Sequence, residues 1–310
     1  MIKTTVTNLN IIKLKQHLEF AFESFGIKSR ILQDIALMKY FSVPTNKIWT
    51  INVLVGHEKA AFANLIEQEM YIDSKILKVN YLTLVYVYPK HRGKKLVSYI
   101  IDEVERVSLE HNHSASFVIA RKAVKDLYYK FGYHGFSIFP EIKLNTKSMV
   151  IEDKKNNISK LEEIASTYEA TYSKITGSLV RNGQYWESIN SYAKQGIINI
   201  SALRLNKQFA YMIIKDSVLI EAAGDLNIMT NLVNKLAIKN FKILKSHPLG
   251  NYIISNGGNY YLRPEIKEGH LLRPFNNSEN IFDKYIIKPN EISTISSKKM
   301  VMNINLLNEW

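Results

Sequence analysis

The segment from Leu84 to Lys95 constrains the fold of this 310-residue chain more than any other part of the sequence. A β-rich apolar run ends at Pro89, a basic loop follows, and a helical pattern begins near Gly93. The first N–H groups of a helix lack internal partners and lie at the positive end of its dipole. This order therefore predicts a site for a compact polyanion that is attached to a part able to lie along a strand. The loop adds four cationic side chains, Lys90, Arg92, Lys94 and Lys95.

The periodicity on both sides of the loop predicts one mixed sheet. A short strand at 1–6 and helices at 10–25 and 31–41 open the chain, and Gly26 ends the first helix. The β-rich runs before the loop predict an antiparallel meander at 48–55, 60–71 and 76–87. After the loop we expect a helix at 94–112, a strand at 116–120, a short helix at 123–131 and a strand at 133–139. Gly132 stands where a left-handed cap would end the short helix.

The second half repeats this order of elements without obvious sequence identity to the first. A polar stretch at 145–157 lacks core periodicity, and we place a domain boundary there, between residues 1–145 and 158–310. Helices are expected at 158–175, 185–194 and 226–238. Strands are expected at 197–203, 209–214, 218–223, 241–244 and 252–255. The fold class is therefore α+β in both halves.

Composition narrows the classes of function. The chain has no cysteine, so disulfides, thiolate nucleophiles and cysteine-based zinc sites are excluded. No apolar run approaches the roughly 20 residues of a membrane span, and we expect a soluble cytoplasmic protein without a membrane partner. The formal net charge is +13, which favours polyanionic partners such as nucleic acid or a phosphorylated cofactor. Most lysines are scattered, so we do not expect nucleic acid.

Two motifs in residues 81–136 resemble the GNAT superfamily of acyl-CoA-dependent N-acetyltransferases. Val87-Tyr88-Pro89-Lys90-His91-Arg92-Gly93 is similar to the family pattern V-x-P-x-x-R-G, which leads from a strand into a helix. Leu127-Tyr128-Tyr129-Lys130-Phe131-Gly132-Tyr133 is similar to its later pattern, a short helix that ends Y-x-x-x-G-F/Y. The resemblance covers residues 1–145 and implies a GNAT fold, followed by a second, degenerate GNAT-like domain. A short match at 177–186 is similar to the Eis type of two-domain acetyltransferase.

The resemblance implies a mechanism and a set of site residues. Acetyl-CoA would be the acyl donor, no metal would be needed, and an unidentified primary amine, on a small molecule or a protein, would attack the thioester directly. Tyr128 would act as the general acid that protonates the leaving thiolate. The family places CoA along the strand and the helix N-terminus, at Val85, Tyr86, Val87, Arg92, Gly93, Lys94, Lys95, Leu96, Val97 and Ser98. Lys95 and Val97 depart from the small residues usual at their positions, so Lys95 would either crowd the phosphates or bind them.

Other polar residues near the motifs allow competing interpretations. Tyr128 could instead be a core tyrosine bound to a backbone carbonyl. We interpret His91 as a surface residue, and His111 and His113 as charges at a helix C-terminus. Glu67 and Glu69 share one strand face and are either solvated or bases that act through a water. His134 either lines the acceptor site or caps a turn.

The second half offers no second phosphate loop. Gly224 and Asp225 follow a strand there, and an acid at that position repels phosphate. We therefore expect one CoA per chain, and we expect Arg181, Tyr185 and Trp186 to wall the acceptor cleft. Two alternatives remain open: a Fem-like aminoacyl-tRNA-dependent ligase, and a non-catalytic module that binds acyl-CoA or protein.

Overall fold

The computed structural model of the chain describes residues 1–8, 10–26, 28, 45–121, 124–135, 139–143, 161–241, 243, 247–263, 268–276 and 278–283. The helix expected at 31–41 and the boundary expected at 145–157 lie outside these residues. The described strands are β1 Ile2–Asn8, β2 Ile48–Val55, β3 Glu58–Ile72, β4 Lys75–Val87, β5 Ala115–Arg121, β6 His134–Gly135, β7 Phe139–Lys143, β8 Ser178–Leu179, β9 Asn199–Leu205, β10 Gln208–Lys215, β11 Val218–Gly224, β12 Asn240–Phe241, β13 Asn259–Arg263 and β14 Glu268–Pro274.

The described helices alternate with these strands. They are α1 Ile11–Phe25, α2 Leu96–Glu110, α3 Lys125–Tyr129, α4 Leu161–Tyr172, α5 Gly183–Lys194, α6 Leu226–Lys235, α7 Pro248–Ser255 and α8 Glu279–Phe282. Short 3-10 turns lie at Thr45–Lys47 and Pro89–His91.

The first sheet has the strand order β1-β2-β3-β4-β5-β14-β6, with β8 paired to the far end of β3. Strands β2, β3 and β4 form an antiparallel meander, as expected. β1 pairs antiparallel to β2, and β5 pairs parallel to β4. A parallel neighbour requires a crossover connection, and α2 supplies it. The result is a mixed, mostly antiparallel sheet with the basic loop at its centre.

Helices cover both faces of this sheet. Leu14, Leu18 and Phe22 of α1 repeat at helical spacing and pack on one face. Asn10 caps the start of α1 through a hydrogen bond to the Lys13 amide, and Gly26 ends it in the left-handed conformation. The apolar stripe of α2 packs on the opposite face, with Leu96, Ile100, Ile101, Val104 and Val107 buried. Leu109, near the end of α2, is exposed.

The second sheet has the order β13-β7-β12-β11-β10-β9 and is also covered on both faces. Helices α4 and α5 supply Tyr168, Tyr172 and Trp186 to one core, while α6 and α7 supply Met229 and Leu249 to the other. The order of two helices, a three-stranded meander and a further helix agrees with the sequence pattern. That this half is a degenerate copy of the first stays a prediction.

The two sheets exchange strands across the expected domain boundary. β7 precedes that boundary but pairs with β12 and β13 in the second sheet. β14 comes from the second half but lies between β5 and β6 in the first sheet. The strand expected at 133–139 is therefore split, because its beginning pairs with β14 and the chain then crosses to the other sheet. The division into 1–145 and 158–310 stays a prediction, although neither stretch holds all the strands of its own sheet.

One strand predicted for the second half is part of a helix in the structure. Residues 252–255 were expected as a strand but end helix α7. Pro248 occupies the first turn, His247 accepts a hydrogen bond from the Leu249 amide, and Leu249 and Ile253 are buried four residues apart. A proline start, a side-chain cap and helical spacing together outweigh the β-branched pair at 253–254.

Within the described part of the chain, none of the helices is both long enough and apolar enough to cross a membrane.

Gly224 is the tightest glycine in the second sheet. It ends β11 with φ of +114°, and a Cβ atom there would lie 2.3 Å from the Phe209 carbonyl oxygen. Gly257 also has a positive φ, +84°, but an added Cβ would meet nothing within 4 Å. Alanine substitutions at the two positions therefore distinguish the cost of steric overlap, which only Gly224 has, from the cost of a left-handed backbone, which both have.

We predict that Gly224→Ala lowers the free energy of unfolding by about 3–5 kcal/mol, because strain and overpacking add. Gly257→Ala should cost only about 1–2 kcal/mol, from the left-handed backbone alone. Urea denaturation followed by circular dichroism measures both. Equal losses in the two variants would contradict the close approach at Gly224.

Candidate active site

A gap opens in the middle of the first sheet where β4 and β5 separate. The two strands pair over four positions only, from Val79 opposite Ala115 to Leu82 opposite Val118. Beyond them β4 continues to Val87 and β5 to Arg121, without pairing to each other. The facing backbone edges of both strands are therefore available to a ligand that lies between them.

A β-bulge marks the place where the gap begins. Phe62 pairs with Tyr86 and Asn64 with Thr83, so two residues of β4 lie opposite Ala63 alone. The first of them, Leu84, has φ of +51°, which is unusual for a residue with a branched side chain. A bulge bends its strand and increases the local twist, which accounts for the divergence of β4 from β5.

The gap is the centre of a cavity of about 810 Å³ that reaches both faces of the sheet. Arg92 and Val97 line it beside the basic loop, and Tyr128 lines it from α3. Ser24 and Phe25 line it from α1, which packs on the opposite face from α2. One ligand can therefore enter from the loop and a second from the α1 side. Val85, Tyr86 and Val87 line the same cavity, and their binding to CoA stays a prediction.

The basic loop leads into α2 through two left-handed residues. Gly93 has φ of +80°, and Lys95, the residue before the helix, has φ of +56°. No side chain caps the start of α2, and its first turn contains no acid. Within the described residues, the amides from Gly93 to Val97 have no hydrogen-bond acceptor, whereas the Ser98 amide is bonded to the Lys95 carbonyl at 3.1 Å. These free N–H groups form a cradle for an anion.

The cations of the loop differ in what they contact. The Arg92 guanidinium donates to the Val87 carbonyl at 3.4 Å and reaches the cavity. Lys94 and Lys95 are exposed. Lys90 is paired with Glu58.

His91 is buried, which corrects its interpretation as a surface residue. The residue is 6% exposed, with Nδ1 accepting from Lys94 at 3.3 Å and Nε2 lying 3.3 Å from Glu58. Because Nδ1 accepts a hydrogen bond, the ring proton is on Nε2, which donates a hydrogen bond to the Glu58 carboxylate. His91 thus fastens the loop to β3 and holds Lys94 in place.

Tyr128 lies in the cavity wall with a buried ring. It is 5% exposed and packs edge-on against Tyr133, with ring centroids 5.7 Å apart. Within the described residues its hydroxyl has no hydrogen-bond partner, so nothing there supports the interpretation as a core tyrosine held by a backbone carbonyl. Burial, with smaller effects of Tyr133 and Tyr81, raises the pKa of the Tyr128 phenol well above its usual range. The group therefore holds its proton at neutral pH and suits an acid rather than a base.

The corresponding helix of the second sheet starts differently. Helix α6 follows β11, and the Asp225 carboxylate accepts from the amides of Asn227 and Ile228 at 2.9 and 3.2 Å. The N–H groups that are free at α2 are thus occupied at α6 by a fixed negative charge. The Asn227 and Ile228 amides are therefore not available to an anion, and the absence of a phosphate site from the second half stays a prediction.

Glu67 and His113 form a buried pair, which corrects both sequence interpretations. Glu67 is 6% exposed and contacts Lys47 and His113, each at 3.0 Å. Asn80 lies 3.1 Å from the other nitrogen of His113. The hydrogen bond from His113, and then Lys47, lower the pKa of the Glu67 carboxyl to about 2 despite its burial. Such a carboxylate is a weak base, and His113 is not a solvated charge at a helix end.

Arg181, Tyr185 and Trp186 do not wall a cleft. The Arg181 side chain is fully buried, pairs with Glu221, and lies 3.8 Å from the Tyr168 ring centre. Trp186 is 3% exposed, and the Tyr185 ring lies 4.7 Å from the guanidinium. A basic residue followed by two aromatic residues suggested a surface patch. The sequence alone does not show that Glu221 lies nearby and forms a buried ion pair with Arg181.

His111 and His134, the other two histidines near the motifs, do not line the cavity. His111 is exposed and packs on Trp49 at 4.6 Å. His134 lies in β6 and lines a different cavity with Glu105 and Arg273. The described residues contain no cluster of three or more side chains that would hold a metal ion.

Sequence reasoning missed Leu84, Ser24 and Phe25 as contributors to the cavity. Leu84 creates the bulge, but leucine has no preference that would reveal a left-handed residue. Ser24 and Phe25 were assigned only to the end of a helix, although Gly26 marks the place where α1 stops beside the gap.

Comparison with known proteins places the first half among acyltransferases. Residues 6–135 match the family model of the acetyltransferase (GNAT) domain. No curated protein matches the chain.

Several solved structures share the fold. Eis1 from Mycobacterium abscessus is 10% identical, with a TM-score of 0.59 over 88% of this chain and 73% of its own. The GCN5-related N-acetyltransferase of Kribbella flavida is 13% identical, with a TM-score of 0.60 over 88% and 72%. The corresponding protein of Anabaena variabilis is 13% identical, with a TM-score of 0.57 over 88% and 73%. These likenesses show the fold, and they give no support to the ligase or binding-module alternatives.

The Glu67 pair predicts a specific acid sensitivity. The folded pKa of about 2 lies below the usual 4.5, so the carboxylate stabilises the fold above pH 4.5, and this stabilisation is lost as the pH falls toward 2. Glu67→Gln should lower the free energy of unfolding at pH 7 by about 3 kcal/mol and flatten its dependence on pH below 4.5. Denaturant unfolding at a series of pH values measures this.

Glu69→Gln is the matched control. Glu69 lies on the same strand face, and its carboxyl forms no ion pair with the described residues. Loss of acid sensitivity in both variants, or in neither, would contradict the role of the Glu67 pair.

Proposed function

Residues 6–135 form an acetyltransferase domain of the GNAT superfamily, and from that premise we propose that the protein transfers an acetyl group from acetyl-CoA to a primary amine. The resemblance found in the two sequence motifs is thereby confirmed at the level of the superfamily. The observation that carries the finer proposal is the gap between β4 and β5, which joins free amides at the start of α2 to the Tyr128 hydroxyl.

The loop and the start of α2 suit the phosphates of CoA. The free amides from Gly93 to Val97 supply aligned donors, and the helix dipole adds positive potential at the same point. Arg92 and Lys94 supply charge-assisted contacts, which are stronger than neutral hydrogen bonds. The side chain of Ser98 is already bonded to the Lys95 carbonyl at 2.7 Å, so we assign this residue a supporting role. Leu96 is buried and contributes its amide alone.

The gap itself suits the pantetheine arm. This part of CoA carries two amide groups, and strand edges recognise such groups by adding them to the sheet. β4 offers an unpaired edge over Val85, Tyr86 and Val87 once β5 has diverged. An arm bound there points its thioester from the phosphate cradle toward α1.

The reaction is an acyl transfer that the protein assists mainly by position. The amine nitrogen forms a bond to the thioester carbonyl carbon, the carbon–sulfur bond breaks, and the nitrogen loses one proton to solvent. Tyr128 gives its proton to the leaving sulfur and regains one from solvent, so the products are an amide and free CoA. Free backbone N–H groups at the bulge would stabilise the oxyanion.

We predict that reversing two charges of the loop weakens binding of acetyl-CoA. Arg92→Glu with Lys94→Glu should raise the dissociation constant at least ~10-fold, since each charge-assisted contact is worth ~1.5–3 kcal/mol. Isothermal titration calorimetry measures the effect. The matched control is Lys75→Glu with Lys78→Glu, which changes the net charge equally on exposed residues at the other end of β4. Equal weakening in both double variants would show a general charge effect and no site at the loop.

The same titration of the unaltered protein gives the stoichiometry. We expect one CoA per chain, because Asp225 occupies the amides at the start of α6. A ratio of two would overturn the assignment of a single site to the first sheet.

We predict that Tyr128→Phe lowers turnover by ~10²-fold or more, with little change in affinity for acetyl-CoA, because the ring stays and only the proton is removed. Release of free thiol at saturating substrate measures turnover. Tyr129→Phe makes the same chemical change on the neighbouring residue and should leave turnover within about 3-fold of the unaltered protein. Full activity of Tyr128→Phe would make Tyr128 a wall residue without a catalytic role.

A further inference from the structure

We infer that the acyl acceptor is a primary amine with a single positive charge and an aromatic or similarly apolar body. This inference rests on the proposed function and concerns the α1 end of the same cavity. Aminoglycosides and polyamines, which carry several positive charges, are excluded by it.

The α1 end of the cavity adjoins a cluster of aromatic rings that we call the aromatic wall. It consists of Phe20, Phe25, Phe62, Tyr86 and Tyr88. Centroid distances of 5.1 Å from Phe25 to Tyr86, 5.5 Å from Phe62 to Tyr86 and 5.2 Å from Tyr86 to Tyr88 show continuous ring contact. Phe25 and Tyr86 line the cavity directly.

Tyr86 connects the wall to the reaction centre. Its backbone belongs to the edge that we assign to the pantetheine arm, while its ring packs on Phe25 and Phe62 on the α1 side. A group that rests on these rings is therefore one residue away from the bulge of β4 and faces the thioester from the side opposite the phosphates. The wall is thus in the position that an attacking amine must occupy.

The charges around the wall oppose a polycation. Among the described residues that line the cavity, Arg92 alone is charged, and it lies beside the basic loop. Lys59 places its ammonium 5.0 Å from the centre of the Phe20 ring, so the wall already holds one cation of the protein. Glu23 is an exposed residue of α1, two positions before Phe25, and supplies one negative charge. A ligand with several ammonium groups would therefore meet repulsion from Lys59 at the wall and from Arg92 in the cavity.

An apolar wall also prepares the amine chemically. Ring faces attract an ammonium group as it enters, and transfer out of water then disfavours its charged form. The nitrogen loses its proton to solvent and becomes the neutral nucleophile that attack on a thioester requires. No carboxylate base is needed beside the nitrogen, in agreement with the low pKa of Glu67 and its pairing away from the cavity.

A panel of amines tests this assignment by release of free thiol from acetyl-CoA. We expect kcat/KM for 2-phenylethylamine to exceed that for spermidine and for kanamycin by at least ~10-fold, the discrimination that burial of an aromatic ring provides. A preference for spermidine or kanamycin overturns the inference. The inference is also overturned if the protein binds acetyl-CoA in calorimetry but transfers the acetyl group to none of the three amines. That result would still support the CoA site. Failure to bind acetyl-CoA at all is the separate failure of the proposed function.

Phe25→Glu tests the wall itself, because it puts a carboxylate where an apolar ring lined the cavity. The ratio of kcat/KM for 2-phenylethylamine to that for spermidine should fall at least ~100-fold. The carboxylate lowers kcat/KM for the apolar amine and raises it for the polycation. Tyr252→Glu makes the same change of charge on an exposed residue of α7 and should leave the ratio unchanged. If Phe25→Glu does not fold, Phe25→Leu should lower kcat/KM for 2-phenylethylamine ~3-fold or more with unchanged affinity for acetyl-CoA. An unchanged ratio in a folded variant at position 25 overturns the inference.

Discussion

The candidate site depends on the point at which β4 and β5 stop pairing. Four parallel pairs hold the strands together, and the bulge at Leu84 then turns β4 away. Continued pairing would satisfy both backbone edges and fill the sheet, and no cavity would join the basic loop to α1. A strained residue in an otherwise regular strand is stable here because the long β3 partner holds β4 on its other side.

The two halves use similar helix positions for opposite purposes. At α2 the chain leaves the first amides free, places a left-handed lysine before them and surrounds them with cations. At α6 the Asp225 carboxylate accepts hydrogen bonds from the first amides of the helix, and Gln208 donates to the same carboxylate at 2.9 Å. A side-chain cap at the N-terminus stabilises a helix. A helix without such a cap lacks that stabilisation, but its free N–H groups can bind an anion. This contrast supports function in the first half and scaffolding in the second.

Local signals in the sequence predicted most elements and the basic loop. Gly26 ends α1 in the left-handed conformation, as expected, because few other residues adopt it without cost. Gly132 is also left-handed, but α3 already ends at Tyr129, three residues before it. The burial of His91 and His113 was not predictable, since it depends on Glu58 and Glu67, each more than 30 residues away in the chain. The bulge at Leu84 and the pairing of β14 beside β5 likewise arise from long-range packing that periodicity does not contain.

The place of β14 has a consequence for biosynthesis. This strand covers the outer edge of β5, and its Arg273 reaches Glu105 of α2 at 2.7 Å, yet it is made about 150 residues after β5. At ~5–20 residues per second, the ribosome needs on the order of ten seconds to deliver it. During that interval the nascent chain carries an apolar strand with an open edge, the kind of surface on which other chains aggregate. Such long-range closure also slows folding in general, so production of this protein should benefit from low temperature and from chaperones that shield exposed strands.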